Sequence, residues 1–227
     1  MDNTAQQITQ SMNWSFILSR RLTFICFCTS SFILLFLLLY ILPIYFNYIQ
    51  HRSGAMIDDP LLKLIYLNQH DLSALINILT YSSILITFIW LCNHPERLLI
   101  SIIAYILIVS MRILCIYLLP LEPPIGDIAL YDPIAYGGNI ITKDLFFSGH
   151  IATLALCFLL LKNSILRNTI AIFTILILVS IIFQRNHYII DIVIAPFISY
   201  ASYIFACRCC SWLKTYENNV DIRKRSI

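Results

Sequence analysis

The sequence predicts an all-α fold, a polytopic membrane protein built as a bundle of six transmembrane helices. Hydrophobic residues make up 59% of the 227 residues and charged residues only 12%, whereas about 25% of a soluble domain is charged. Six stretches approach the length of about 20 apolar residues that a helix needs to cross a bilayer. None of the six alternates apolar and polar residues as a membrane barrel strand does, and this favours helices.

The predicted spans divide the chain into a membrane domain, residues 23–206, between an N-terminal segment, 1–22, and a basic tail, 207–227. In chain order they run over Thr23 to Tyr48, Leu72 to Cys92, Leu98 to Leu119, Phe146 to Leu161, Thr169 to Phe183 and Tyr188 to Ala206. The fourth and fifth are the shortest. The first helix is expected to stay uncleaved, because no small-residue cleavage site follows its apolar run.

The distribution of basic residues predicts the orientation. With the N-terminus inside, the cytoplasmic side holds ten lysines and arginines and the outer side four, in agreement with the positive-inside rule. Both termini are therefore expected in the cytoplasm. The outer loops then carry most of the acids, and both histidine motifs described next face the extracytoplasmic side.

Ionisable residues within the apolar helices are costly and usually mark a site. His187 and Asp191 are spaced i, i+4, which puts an imidazole and a carboxylate on one helix face. A carboxylate on one ring nitrogen leaves the other nitrogen free to attack or to take a proton. A purely structural pair is the alternative, and His150 on the same side of the membrane weakens it.

Ser148 and Gly149 precede His150 and can begin the fourth helix with exposed backbone amides. Helix N-termini bind phosphate through such amides and the helix dipole, although an ordinary helix cap also fits this pair. The two histidines and Asp191 could instead bind a metal. Nothing nearby, such as a thiolate cluster, supports that reading, so neither a metal nor a cofactor is predicted.

Two stretches, DLFFSGHIA at 144–152 and NHYIIDIVIA at 186–195, resemble signature motifs of the type 2 phosphatidic acid phosphatase superfamily, and more closely of its sphingomyelin synthase branch. RILCIYLLPLEPP at 112–124 is similar to that branch's third-helix motif, in which a tyrosine follows an arginine by five residues. DDPLL at 58–62 and the polar stretch after it resemble the segment before its second helix. The likeness covers most of the chain.

The resemblance implies a role for each motif residue. His187 would attack phosphorus, Asp191 would orient it, and His150 would protonate the leaving alcohol. The chain departs from the phosphatases of the superfamily, because their lysine and arginine-proline motif is missing and Ile181 stands where they have an arginine. So few cations suit a phosphodiester, which carries less charge than a phosphomonoester.

The expected function is transfer of a phospho-headgroup, phosphocholine or phosphoethanolamine, from a glycerophospholipid donor to a lipid alcohol such as ceramide or diacylglycerol. Substrate contacts are expected from six residues: Ser148, Gly149, Arg112, Arg185, Tyr117 and Asp144. A lipid phosphatase or phospholipase C-like hydrolase is the first alternative, and a non-catalytic lipid-binding membrane protein is the second. The expected partners are these lipids and the bilayer, with no nucleic acid.

Overall fold

The computed structural model describes residues 22–64, 70–132, 136 and 140–225, with the side chains of 22–28 and 212–225 outside that description. This part of the chain is helical and contains no β-strand beyond one isolated bridge between Ala55 and Leu121. Its helices, in chain order, are α1 (Leu22–Gln50), α2 (Pro60–Leu64), α3 (Ser73–Cys92), α4 (Pro95–Leu118), α5 (Gly149–Leu160), α6 (Ser164–Gln184) and α7 (Ile189–Arg225). The predicted segment 1–22 lies outside the described residues, apart from Leu22.

Five helices of the described chain are long and apolar enough to cross a membrane, which makes this a multi-pass membrane protein. They are Thr29–Gln50, Ser73–Cys92, Pro95–Leu118, Ser164–Gln184 and Ile189–Ser211. Pro43 lies inside α1 and Pro196 inside α7. The helix of α7 continues past the predicted end at Ala206 into the basic tail.

The fourth predicted span contains α5, which has only 12 residues. A helix of this length measures about 18 Å, less than the hydrocarbon thickness of about 30 Å, so a sixth span stays a prediction. Both ends of α5 lie against side chains of α4. Its first residue, Gly149, lies against the Arg112 side chain of α4, and Leu160 O near its end accepts a hydrogen bond from Arg97 at the start of α4.

The start of α5 therefore lies level with Arg112, inside the bundle, and not level with the C-terminal end of α4. Arg112 is six residues before the end of α4 at Leu118, a depth of about 9 Å along the helix. The chain between α4 and α5 descends to this level as irregular structure before the helix begins. Such backbone is tolerated at membrane depth only where protein buries it or it lines a cavity.

Helix α5 is the centre of the bundle, because it packs against α3, α4, α6 and α7. Its residues Ile151, Ala152 and Leu154 are at most 1% exposed, and they share one core with Ile177 of α6 and Ala195 of α7. Helix α1 packs mainly on α4. The residues at the start of α5 are thus enclosed by helices from distant parts of the chain.

Helix α6 begins five residues before the predicted span. The side chain of Asn163 caps it by accepting hydrogen bonds from the backbone N–H groups of Ile165 and Leu166, as asparagine commonly does at helix starts. The first turns of α6 contain Ser164, Arg167 and other polar residues, so hydropathy alone placed its start too late.

Candidate active site

His187 and Asp191 lie together at the start of α7. His187 Nδ1 is 3.3 Å from Asp191 Oδ2, and the two residues are 4% and 0% exposed. The same carboxylate oxygen accepts from the backbone N–H of Tyr188 at 3.3 Å, while Asp59 Oδ2 accepts from Ile189 N at 2.8 Å. The two acids satisfy amides at the helix start, and Asp191 also orients the imidazole.

This orientation has a chemical consequence. A carboxylate next to Nδ1 favours the tautomer that has its proton on Nδ1, and the lone pair is then on Nε2. Asp191 Oδ1 is buried and has no hydrogen-bond partner among the described residues.

A backbone hydrogen bond joins the two histidine motifs. Ser148 N donates to the backbone oxygen of Asp191 at 3.2 Å, so the start of α5 is attached to the first turn of α7. Ser148 is the N-cap residue of α5, yet its side chain makes no capping hydrogen bond. Its Oγ is buried without a partner in the described part of the chain, which leaves the hydroxyl available as a donor.

His150 lies against a carboxylate that the sequence did not single out. Its Nε2 is 3.5 Å from Asp132 Oδ2, and both side chains are buried. Tyr81 of α3 donates to the other oxygen of Asp132 at 2.6 Å. Asp132 therefore faces the imidazole of His150 as a second buried carboxylate, placed to accept from its Nε2–H.

Arg112 and Asp144 pair with each other. Arg112 Nε donates to Asp144 Oδ1 at 3.0 Å and Nη2 donates to Oδ2, while Tyr136 OH also donates to Oδ2 at 2.7 Å. The remaining nitrogen, Nη1, faces Gly149, where a Cβ would lie 1.4 Å from it. Because both members are buried, this bidentate pair fixes the guanidinium against the start of α5.

A cavity of about 90 Å³ adjoins His150. Its polar wall includes Arg112, Asp132, Asp144 and His150, and its apolar wall comes from α1, α3 and α4. The apolar and aromatic residues are Leu42, Phe46, Tyr81, Ile84, Tyr105, Ile108, Val109 and Tyr136. His187 does not line this cavity. The cavity therefore combines polar groups, among them His150, with many apolar side chains, as a lipid requires.

Two predicted substrate residues lie elsewhere. The Arg52 guanidinium covers the Tyr117 ring at 4.8 Å from its centroid, and Tyr117 does not line the cavity. Arg185 caps the C-terminus of α6 in a left-handed conformation with φ of 55°, and its Nη1 donates to Ile125 O at 3.2 Å. The other four predicted substrate residues lie around the start of α5: Ser148, Gly149, Asp144 and, from α4, Arg112.

Within the described residues, no three His, Cys, Asp or Glu side chains form a group that could hold a metal ion. The ionisable groups of the site are two histidines, and each lies next to a different carboxylate. No motif or spacing in the sequence indicates Asp132 or its partner Tyr81. Asp132 contacts His150 because of the way the loop between α4 and α5 folds.

These features define a helical membrane protein with a buried histidine site. The family model described as PAP2 superfamily C-terminal matches residues 143–208, and this match supports membership of the PAP2 superfamily. The matched segment, less than a third of the chain, contains Ser148, His150, His187 and Asp191. Searches of curated proteins and of solved structures gave no match. The family match suggests an activity of the lipid phosphatase or phosphotransferase type.

Proposed function

We propose that this protein transfers a phospho-headgroup from a glycerophospholipid to a lipid alcohol through a phosphohistidine intermediate. The observation that carries the proposal is the joining of two histidine–carboxylate pairs by the Ser148 N to Asp191 O hydrogen bond. One pair supplies a nucleophile and the other a proton donor. A displacement at phosphorus with an alkoxide leaving group needs both.

In the first step, Nε2 of His187 attacks phosphorus and the bond from phosphorus to the diacylglycerol oxygen breaks. His150 gives its proton to that oxygen, so neutral diacylglycerol leaves. In the second step, the hydroxyl of the acceptor lipid attacks the phosphohistidine. The bond from phosphorus to Nε2 breaks, and His150 takes the hydroxyl proton, which returns both histidines to their starting forms.

The charges near the site support a phosphodiester substrate. Arg112 is the cation that lines the cavity, and Asp144 already pairs with it. Among the described residues of the cavity wall, a phosphomonoester close to a dianion would find no unpaired arginine or lysine, whereas a diester brings one negative charge. The Ser148 hydroxyl and the first amides of α5 can donate to its oxygens.

The cavity supports a lipid on the His150 side of phosphorus. Its lining combines His150 with apolar residues of α1, α3 and α4, so the apolar part of a lipid can lie against these residues while the ester oxygen stays near the imidazole. Both the diacylglycerol leaving group and the lipid acceptor place such an oxygen at this position. Transfer therefore needs only one lipid-binding cavity, used in turn by donor and acceptor.

The test is product analysis on the purified full-length protein. Fluorescent ceramide and diacylglycerol acceptors are incubated with a panel of phospholipid donors, and His187→Ala is compared with His51→Ala, a change at an exposed histidine. A labelled phospholipid that forms with wild type and His51→Ala, but not with His187→Ala, supports transfer. Free phosphate or free phospho-headgroup as the sole product would instead assign the protein as a hydrolase.

A second experiment looks for the intermediate. Donor lipid with a radiolabelled headgroup is added without acceptor, and the protein is denatured in alkali, in which phosphohistidine survives. Label should stay on wild type, build up far more slowly on His150→Gln, be absent from His187→Ala, and be lost in acid. Turnover without any labelled protein under these conditions would argue for direct transfer between lipids.

A further inference from the structure

The loop after α4 is attached to the residues immediately before His187. Ile128 N donates to Gln184 O at 2.9 Å, Asn186 Nδ2 donates to Ile128 O at 3.0 Å, and Arg185 Nη1 donates to Ile125 O at 3.2 Å. Residues 125–128 thus lie along residues 184–186. This attachment brings Asp127 to the vicinity of the nucleophile.

The Asp127 carboxylate is partly buried. Its backbone N–H donates to Pro124 O at 3.0 Å, but its side chain has no hydrogen-bond or ion-pair partner in the described chain. Burial raises the pKa of Asp127 to about 6, and the electrostatic interaction with His187 opposes this rise. The group is therefore largely ionised at neutral pH, and a partly buried carboxylate is unfavourable without a cation. His187 is the positive partner in this interaction, but its imidazole must be neutral when it attacks phosphorus.

A substrate can supply the missing cation. When phosphorus is next to His187, the ammonium of a choline or ethanolamine headgroup is separated from it only by an oxygen and a short carbon chain. The carboxylate of Asp127 attracts such a group. A phosphomonoester, or a diester without an ammonium, would bring only negative charge towards it.

We propose that Asp127 selects donor lipids with a positively charged headgroup, by pairing its carboxylate with the headgroup ammonium while His187 attacks phosphorus. The inference rests on the proposed function, since it concerns the donor of that reaction. It adds a specificity residue on the headgroup side of phosphorus, opposite to the lipid cavity at His150. The choice of acceptor does not depend on it.

The experiment compares donors that differ in headgroup charge. The kcat/KM of the full-length protein is measured with phosphatidylcholine, phosphatidylethanolamine and phosphatidylglycerol of identical acyl chains. Asp127→Asn removes the charge and keeps the shape, Asp127→Glu keeps the charge, and Asp58→Asn removes a carboxylate that is 76% exposed beside Lys63.

We expect Asp127→Asn to lose about tenfold in kcat/KM with the two cationic donors, the typical effect of losing one charged contact. Its kcat/KM with phosphatidylglycerol should equal or exceed that of wild type, because the repulsion of the phosphate is removed; activity at this level also shows that the variant folds. Asp127→Glu should keep the preference for cationic donors at least in part, and Asp58→Asn should match wild type.

Equal losses with all three donors would overturn the proposal and assign Asp127 to the support of His187. Unchanged kinetics in Asp127→Asn would overturn it as well. If wild type used only a phosphomonoester such as phosphatidic acid, the proposed function itself would fail, and this outcome is visible before any variant is made.

Discussion

Gly149→Ala tests whether the Arg112–Asp144 pair holds the start of α5 in place. A Cβ at Gly149 would lie 1.4 Å from Arg112 Nη1 and 2.4 Å from Cζ, and ordinary contact begins at 3.4 Å. The guanidinium would have to move by about 2 Å, which breaks its hydrogen bonds to Asp144. The end of an arginine is usually flexible, but here it is buried and bound on two nitrogens.

The magnitude follows from two opposing effects. Disrupting a buried ion pair costs about 3 kcal/mol or more, and alanine is favoured over glycine in a helix by up to about 1 kcal/mol. We therefore expect the free energy of unfolding to fall by about 2 kcal/mol. For a chain of this size the Tm should fall by about 4–8 °C. Helix propensity alone predicts the opposite sign.

The assay is thermal unfolding of the detergent-purified protein, followed by circular dichroism. The same substitution is also made in a background carrying Arg112→Met and Asp144→Asn, which removes both charges and so leaves no unpaired buried ion. There Gly149→Ala should leave Tm unchanged or raise it. An equal loss of Tm in both backgrounds, or a rise in the wild-type background, would refute this reasoning.

The remaining predictions concern the acids and the proton donor. His150→Gln should lower kcat by about 10²–10⁴ with a phospholipid donor, but should spare the first-turnover release of nitrophenol from nitrophenyl phosphocholine, whose leaving group needs no proton. Equal losses in both measurements would show that His150 is not the acid of the first step. Asp132→Asn should show the same donor dependence with a smaller loss, about tenfold, because the His150 imidazolium loses its carboxylate. The preference for phosphatidylcholine over phosphatidylglycerol should decline as pH falls through about 6, where Asp127 becomes protonated. The ratio cancels histidine titration common to both donors, so a ratio that stays flat with pH would contradict the assignment.

Local patterns in the sequence were sufficient for the helices and for one half of the candidate site. Long apolar runs predicted the five long helices, because a spanning segment must satisfy its own backbone. The i, i+4 spacing predicted the contact between His187 and Asp191, since helix geometry places such residues together. The SGH stretch likewise indicated a helix start at Ser148 and Gly149, although the predicted span began at Phe146; the helix begins at Gly149.

The other half of the candidate site depended on how the loop between α4 and α5 folds. Arg112 and Asp144 are 32 residues apart in the chain, and the sequence predicted each as a substrate contact rather than as partners. The two remaining acids are in a loop without periodicity. Asp132 reaches His150 and Asp127 reaches the vicinity of His187 because that loop folds back against α3 and the end of α6.

The sequence by itself therefore determined the membrane helices, the histidine motifs and the pairing within one helical turn, because these follow from spacing along a regular helix. Only the tertiary structure decided how deep α5 begins, which carboxylate accompanies each histidine and which charges neutralise each other. The physical reason is that electrostatic interactions act through space, whereas helical periodicity relates only residues that are close in the chain.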